Sequence, residues 1–399
     1  MRLKVLAARS IVRFMHSLGS PTTGYRVVIV GAGVAGLEAA LALQELAGER
    51  VSVTVLAPDE EYVDRPMAVR EPFASAAAHR YPLDDLLAGI GAGRCVDTFK
   101  WLDPEARVIH TDGGLELEYD SVLLAVGARR IPALRHALTL DVRHMDDQLH
   151  GLIQDIEEGY VKSIAFVVPS IHCWPLPAYE LALMTARRAD QMNTQLRVAV
   201  VTPEAAPLAV FGAAVTEAVT EMFSSCGVEV ISETSSQTRE PGKLLLPHSG
   251  DELEFDRIVA IPQLYGAALA GVPKTARDGF VSVDRNARVQ GLEHVYAAGD
   301  TTDFPVKFGS IAALQADAAA AAIAADAGAQ VEPQPLVPVI HGILLGGPSP
   351  LYIRARISDG HGQDSEVSDE PFVDAPAKVE AKYLRPYLDT FQRRARSGV

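Results

Sequence analysis

The run Val30-Gly31-Ala32-Gly33-Val34-Ala35-Gly36-Leu37-Glu38 joins an apolar stretch, Arg26 to Val30, to a helix-spaced one, Leu37 to Leu46. Its glycines at 31, 33 and 36 stand at the G-x-G-x-x-G spacing of a dinucleotide-binding βαβ unit. The first permits a tight turn, the second lets a pyrophosphate approach the backbone, and the third lets helix and strand pack closely. The helix then offers its unpaired amides and partial positive charge to the phosphates. Val51 to Leu56 reads as the second strand, and a crossover of this kind predicts a parallel sheet. An acid at the end of that strand is expected to hold a ribose. The position itself is Ala57; of the nearby acids Asp59, Glu60 and Glu61 we take Asp59, with a solvated acidic turn as the alternative.

A second signal lies far along the chain. Val295-Tyr296-Ala297-Ala298-Gly299-Asp300 reads as a strand ending in Gly-Asp, and Phe304-Pro305-Val306-Lys307 leads from it into an alanine-rich helix, Ile311 to Ala327. Asp300 is placed to accept a hydrogen bond from a ribityl hydroxyl. The helix aims its N-terminus at the flavin pyrimidine edge, which gains negative charge on reduction. Lys307 either adds to that effect or is an ordinary surface lysine.

Between these motifs, Ala57 to Ala78 reads as loop with a short helix, and Val108–His110 and Leu115–Tyr119 flank a hairpin turn at Asp112-Gly113-Gly114. Ser121 to Val126 is a buried strand ended by Gly127, and a linking helix spans Met145 to Glu158. A second α/β pattern follows: strand Ser163–Val168, helix Tyr179–Arg188, strand Leu196–Thr202, helix Ala213–Cys226 and strand Val228–Ser232. Phe280–Val283 and His294–Ala297 return as strands. From Val331 on the pattern is irregular, with an acidic solvated loop at Asp359–Asp374 and a final amphipathic helix at Pro386–Arg396. No tandem repeat appears.

Arg26–Leu43, Ala125-Val126-Gly127 and Tyr296–Asp300 together resemble the flavoproteins with two dinucleotide-binding domains. Within these the chain is similar to the branch of type II NADH dehydrogenases and sulfide:quinone oxidoreductases, and Tyr62-Val63-Asp64-Arg65-Pro66 resembles the loop that passes the flavin there. The resemblance implies an α/β fold of two Rossmann-like domains, the second inserted in the first. It also implies non-covalent FAD held by Gly31, Gly33, Ala35, Gly36, Asp59, Arg65, Pro66, Gly127, Gly299 and Asp300. The expected division is a basic N-terminal extension (1–24), a first FAD-binding part (25–150), an NAD(P)-binding-like domain (151–279), a second FAD-binding part (280–330) and an irregular C-terminal extension (331–399). The implied activity moves two electrons from a small-molecule donor, NAD(P)H among the options, to an acceptor such as a quinone.

The second domain departs from the pattern. Counting back from Glu180, the three glycine positions hold Cys173, Pro175 and Ala178; proline at the second removes an amide and fills the space of a pyrophosphate. NAD(P)H as donor is therefore open. Glu180 resembles the helix glutamate near flavin and quinone in the dehydrogenases, where a carboxylate relays protons, or else it is a helix-surface acid. Cys173 stands where the sulfide oxidoreductases carry a cysteine, but those enzymes need a second one and the chain has none after Cys226. The alternatives to quinone reduction are thus a sulfur-compound oxidoreductase using Cys173 and a non-catalytic flavin-bound redox-responsive protein.

Composition bounds these readings. A net charge of −15 argues against a nucleic-acid partner. Three scattered cysteines form neither a disulfide framework nor a dithiol relay and favour a reducing, cytoplasmic setting. No metal-ligand cluster and no uninterrupted apolar run long enough to span a membrane is evident. Arg2, Lys4, Arg9 and Arg13, set among apolar residues, read as a basic amphipathic segment making peripheral contact at the inner membrane face, as a frayed extension, or as an over-long start with Met15 the initiator.

Overall fold

The computed structural model describes residues 24–75, 77–141, 143–273, 278–358, 360–372 and 377–397. The basic N-terminal segment weighed above lies outside them. Chain order begins with β1 (Tyr25–Val30), α1 (Val34–Ala47), β2 (Val51–Leu56), α2 (Leu83–Ile90), β3 (Gly93–Cys95) and β4 (Ser121–Leu124). The chain then leaves along β5 (Ala128–Ile131) and builds a second unit from β6 (Leu138–Thr139), α3 (Met145–Glu157), β7 (Ser163–Val167), α4 (Leu176–Gln191), β8 (Arg197–Val201), α5 (Ala213–Ser225), β9 (Val228–Ile231) and β10 (Arg257–Ala260). It returns along β11 (Gln263–Gly266), antiparallel to β5, and β12 (Val295–Ala297) completes the first sheet.

The first sheet runs β12-β4-β1-β2-β3 and the second β6-β10-β7-β8-β9, both fully parallel. Their strands are short β-branched and aliphatic runs, as expected of strands buried on both faces: helices cover one face of each sheet, and the other packs on antiparallel segments through Leu102, Ile109 and Leu117 in the first and Leu244 and Leu253 in the second. Two Rossmann-type sheets, the second built between strands of the first, bear out the α/β expectation. In the first unit α1 packs on α6 (Gly309–Asp326). Both present alanines, Ala39, Ala40 and Ala42 against Ala316, Ala319 and Ala320, all fully buried. Both helices follow parallel strands of one sheet, which puts their N-termini at the same end, and the small side chains suit close helix approach.

The C-terminal segment differs from the irregular extension expected. It forms an antiparallel sheet of β13 (Val339–Leu344), β14 (Leu351–Ser358) and β15 (His361–Ser368), followed by α7 (Leu384–Ser397). β15 falls inside the supposed acidic loop. As an edge strand, with most of its side chains exposed or half-buried, it carries the polar sequence HGQDSEVS, which hides the strand from a hydrophobicity reading. Phe280–Val283, expected as a strand, makes only isolated bridges, Val281 with Thr302 and Val283 with Val289. α4 starts at Leu176 rather than Tyr179, because prolines at 175 and 177 fall where a helix start tolerates them. Among the described residues no helix is long and apolar enough to cross a membrane. The apolar face of α7 is used internally: Leu384 and Leu388 are buried, and Phe391 meets Tyr81 edge-on at 5.9 Å.

Candidate functional site

The turn after β1 shows three separate uses of glycine. Gly31 has φ +108°, and a Cβ there would lie 2.4 Å from the Ala125 carbonyl oxygen. A Cβ at Gly36 would lie 2.0 Å from the Gly31 carbonyl oxygen, so this glycine serves helix–strand contact. A Cβ at Gly33 would meet nothing within 4 Å, so this residue faces open space. The first helical hydrogen bond of α1 runs from the Leu37 amide to the Gly33 carbonyl at 3.0 Å. The amides of residues 34–36 therefore have no helical acceptor and remain for an anion.

The turn after β12 meets this one. Gly299 has φ +73°, and a Cβ added to it would lie 3.4 Å from Ala35 Cβ and 3.2 Å from Ala312 Cβ. The Gly299 amide donates to Gln315 Oε1 at 2.8 Å, and Thr302 Oγ1 donates to the Gly299 carbonyl at 3.0 Å. Gly127, three residues past β4, donates its amide to Thr301 Oγ1 at 2.9 Å. Three chain segments up to 174 residues apart are thus tied together by side chains that point-by-point motif reading passes over, Thr301, Thr302 and Gln315.

Around this junction lies a cavity of about 760 Å³. Of the candidate residues read from the sequence, all but Gly36 line it: Gly31, Gly33, Ala35, Asp59, Arg65, Pro66, Gly127, Cys173, Glu180, Gly299, Asp300 and Lys307. One end is polar. Arg65, at the start of the 3-10 segment Arg65–Phe73, faces it together with Arg130 and Arg143. Burial first, then the like charges of Arg130 and Arg143, lower the Arg65 guanidinium to about 10, so it stays charged at neutral pH. Asp59 is exposed at the rim and pairs with Arg143 at 3.4 Å.

The other end is mostly apolar. Trp174 stacks on Phe308 at 4.4 Å and 22°, and Leu176, Pro177, Ile261 and Val379 complete the wall. Into it project three buried groups. Glu180, 1% exposed, accepts two hydrogen bonds from Lys378 Nζ at 2.6 and 2.7 Å and one from the Leu345 amide at 2.9 Å. Burial raises its carboxyl above the ordinary value while Lys378 opposes that rise. The helix-surface alternative for Glu180 is therefore overturned. Lys307, 7% exposed, is not a surface lysine either: its ammonium donates to the Thr302 carbonyl and sits 3.9 Å above the Phe280 ring. Burial lowers it to about 8, with Asp300 and Asp303 opposing. Cys173 donates its thiol to the Pro262 carbonyl at 3.2 Å, and burial pushes it up to about 11, so the thiol is protonated at neutral pH.

Sequence reasoning does not single out Lys378, Trp174, Phe308 or the Arg130–Arg143 pair. Trp174 and Phe308 adjoin the candidates Cys173 and Lys307, and that adjacency is the available signal. Lys378 lies 198 residues from Glu180 and gives none. Among the described residues no group of three or more metal-ligating side chains is present.

A family profile for pyridine nucleotide-disulphide oxidoreductases matches residues 25–161 and 177–325. NADH dehydrogenase-like proteins from two strains of Mycobacterium tuberculosis are each 27% identical over 292 residues, 69% of this chain and 72% of theirs. The structure of the sulfide:quinone oxidoreductase from Aquifex aeolicus superposes with a TM-score of 0.79 at 19% identity, covering 94% of this chain and 92% of that one. A ferredoxin reductase from Rhodopseudomonas palustris superposes with a TM-score of 0.63 at 19% identity, covering 83% and 82%. These superpositions speak to the fold.

Proposed function

We propose, from the premise that the chain belongs to the pyridine nucleotide-disulphide oxidoreductase family and is an FAD-dependent oxidoreductase, that its cavity holds FAD with the diphosphate at the α1 N-terminus and the ring system beside Trp174 and Phe308, where a quinone-class acceptor takes up electrons. The observation that carries this reading is the meeting of the two glycine turns, Gly299 against Ala35, on a single cavity. The open space at Gly33, the amides of residues 34–36 and the charged Arg65 suit a diphosphate. Asp59 suits a ribose hydroxyl and Asp300 a ribityl hydroxyl. FAD, when bound, accepts two electrons and returns them.

The chain's own groups supply orientation, charge and protons. The N-terminus of α6 and the Lys307 ammonium give positive potential to the wall next to Asp300. Lys307 provides it below about pH 8 and loses it above. The Glu180 carboxyl, hydrogen-bonded to Lys378 Nζ, is the group suited to relay a proton to an acceptor's oxygen, in a compartment that Trp174, Phe308 and Val379 keep apolar. These features support the quinone reading, and the fold shared with the Aquifex aeolicus sulfide:quinone oxidoreductase is consistent with it. The family assignment replaces the non-catalytic reading.

The test is the visible spectrum of the purified protein, followed by reoxidation of the chemically reduced protein with a soluble quinone. We expect about one FAD per chain, loss of FAD in Asp300→Ala, and quinone reoxidation slowed on the order of 10²-fold in Glu180→Gln. A preparation that stays colourless after incubation with FAD would overturn the reading.

A further inference from the structure

The second βαβ unit, β7–α4–β8, has the architecture of a nucleotide site, and the first unit, β1–α1–β2, supplies an internal standard for what such a site needs. We infer that the second unit binds no pyridine nucleotide, and that Pro175, Pro177, Trp174 and Tyr179 are the residues that close it. This deepens the proposed function by restricting the electron donor, and it rests on that reading.

A dinucleotide binds where the first strand turns into the first helix, with its ribose held by an acid past the second strand. In the first unit the connection is three residues, 31–33, and the amides of residues 34–36 are left for phosphate. In the second it is eight residues, 168–175. Proline at 175 and 177 deletes two amides from the place where α4 starts, and the Ala178 amide is turned back onto the Pro175 carbonyl at 3.0 Å. Of the first three helix positions only Leu176 keeps an amide that is not turned back onto the Pro175 carbonyl.

The ribose position is also taken. Asp59 stands three residues beyond β2, and Glu204 stands three residues beyond β8. Asp59 is exposed at a cavity rim. Glu204 Oε2 instead accepts hydrogen bonds from Tyr179 Oη at 2.6 Å and Thr202 Oγ1 at 3.2 Å. A sugar hydroxyl at Oε2 would have to displace the tyrosine.

Finally, the space between the two loops is filled. Residues 203–212, which follow β8, place Leu208 and Phe211 in the core, fully buried. Phe211 lies 5.7 Å from Trp174, so the loop after β8 and the loop before α4 touch through aromatic rings. The C-terminal sheet holds this arrangement from outside: a Cβ at Gly362 would lie 2.4 Å from the Phe211 backbone. The loop 168–175 has become a wall of the flavin cavity, with Trp174 facing Phe308 there.

The experiment uses the FAD-loaded protein. NADH and NADPH, each at about 1 mM, are mixed with it anaerobically while flavin absorbance is followed, and dithionite is added at the end. In parallel, equilibrium dialysis measures binding of NAD+ and NADP+. We expect no saturable bleaching by either nucleotide, full bleaching by dithionite, and no dissociation constant tighter than about 1 mM, some 4 kcal/mol of binding. Saturable bleaching by NADH or NADPH, or a micromolar dissociation constant for either oxidised nucleotide, would overturn the inference. A protein that binds no FAD overturns the functional reading instead, and dialysis alone then decides this one.

Discussion

β1–α1–β2 and β7–α4–β8 occupy the same places in two sheets that share a four-strand order, β4-β1-β2-β3 and β10-β7-β8-β9, and their backbone bonds correspond: Gly31 N–H to Leu56 C=O and Val168 N–H to Val201 C=O, both 2.9 Å. Each helix carries a buried glutamate near its start, Glu38 in α1 and Glu180 in α4, and each glutamate is held by the C-terminal segment. Glu38 accepts the Tyr383 and Leu384 amides at 2.9 and 2.5 Å, at the start of α7; Glu180 accepts Lys378 and the Leu345 amide. The units part at the loop before the helix and at the acid after the second strand. A βαβ frame is held by apolar strands and one apolar helix face, whereas nucleotide binding needs free amides and a reachable acid. The frame therefore survives replacement of the loop.

The largest effect is expected where the first loop depends on glycine. In Gly31→Val a branched side chain meets φ +108° and the Ala125 carbonyl, so we expect FAD to be lost and stability to fall by roughly 4 kcal/mol or more in denaturant unfolding. At the matching position, Val168→Ala removes only buried methyl groups, and FAD content is expected to stay at the parent level. Equal FAD loss in both variants would break the comparison, since it would make the second loop as necessary to the cofactor as the first.

Next in size is the ion pair on the second helix. Lys378→Met leaves the Glu180 carboxylate buried without its cation and is expected to cost about 3 kcal/mol. Glu180→Gln with Lys378→Met removes both charges and should regain most of that loss. A double-mutant cycle in urea gives the coupling directly, and additive losses would show that Lys378 acts as packing alone.

How much of this is legible in the sequence follows the same division. Contiguous features are readable: Gly31 to Gly36 beside an apolar run, Gly299-Asp300 at a strand end, and the proline-rich replacement at 173–178. The cavity assembles from these. Features built by distant pairing are not: Lys378 reaches Glu180 across 198 residues, and Gln315 reaches Gly299 from inside an alanine-rich helix where nothing marks it. β15 is hidden because an edge strand needs only backbone pairing on one side, and its polar sequence reads as loop. The lysine and glutamate that suit the surface as well as the site are both buried, which residue type alone does not reveal.

The glutamate of the first helix offers a gentler contrast. Asp317 on α6 is hydrogen-bonded to Glu38; burial, then the Glu38 charge, raise its carboxyl to about 8, and Lys382 opposes. An acid whose folded value exceeds its unfolded one contributes fully at low pH and loses that contribution as pH rises toward the folded value. Stability should therefore decline between about pH 4 and 8, by at most ~1.4 kcal/mol per pH unit for one proton. Asp317→Asn cannot ionise and is expected to flatten that decline in unfolding curves taken at each pH. A parallel decline in parent and variant would place the titration elsewhere.

The smallest effect is expected at Cys173, and it bears on what the closed loop retains. The side chain is buried, its thiol donates to the Pro262 carbonyl, and at about 11 it stays protonated through the neutral range. A cysteine nucleophile reacts as the thiolate; of the other two cysteines, Cys95 is buried in the core of the first unit and Cys226 lies at the end of α5. Cys173→Ser keeps a small donor for Pro262, so quinone reoxidation should stay within about twofold of the parent and stability within ~1 kcal/mol. Sulfide-dependent reduction of the flavin, if measured, is expected to be slow in the parent and equally slow in the variant. A sulfide-driven rate in the parent that vanishes in Cys173→Ser would mean that the second loop exchanged nucleotide binding for sulfur chemistry, rather than for a wall.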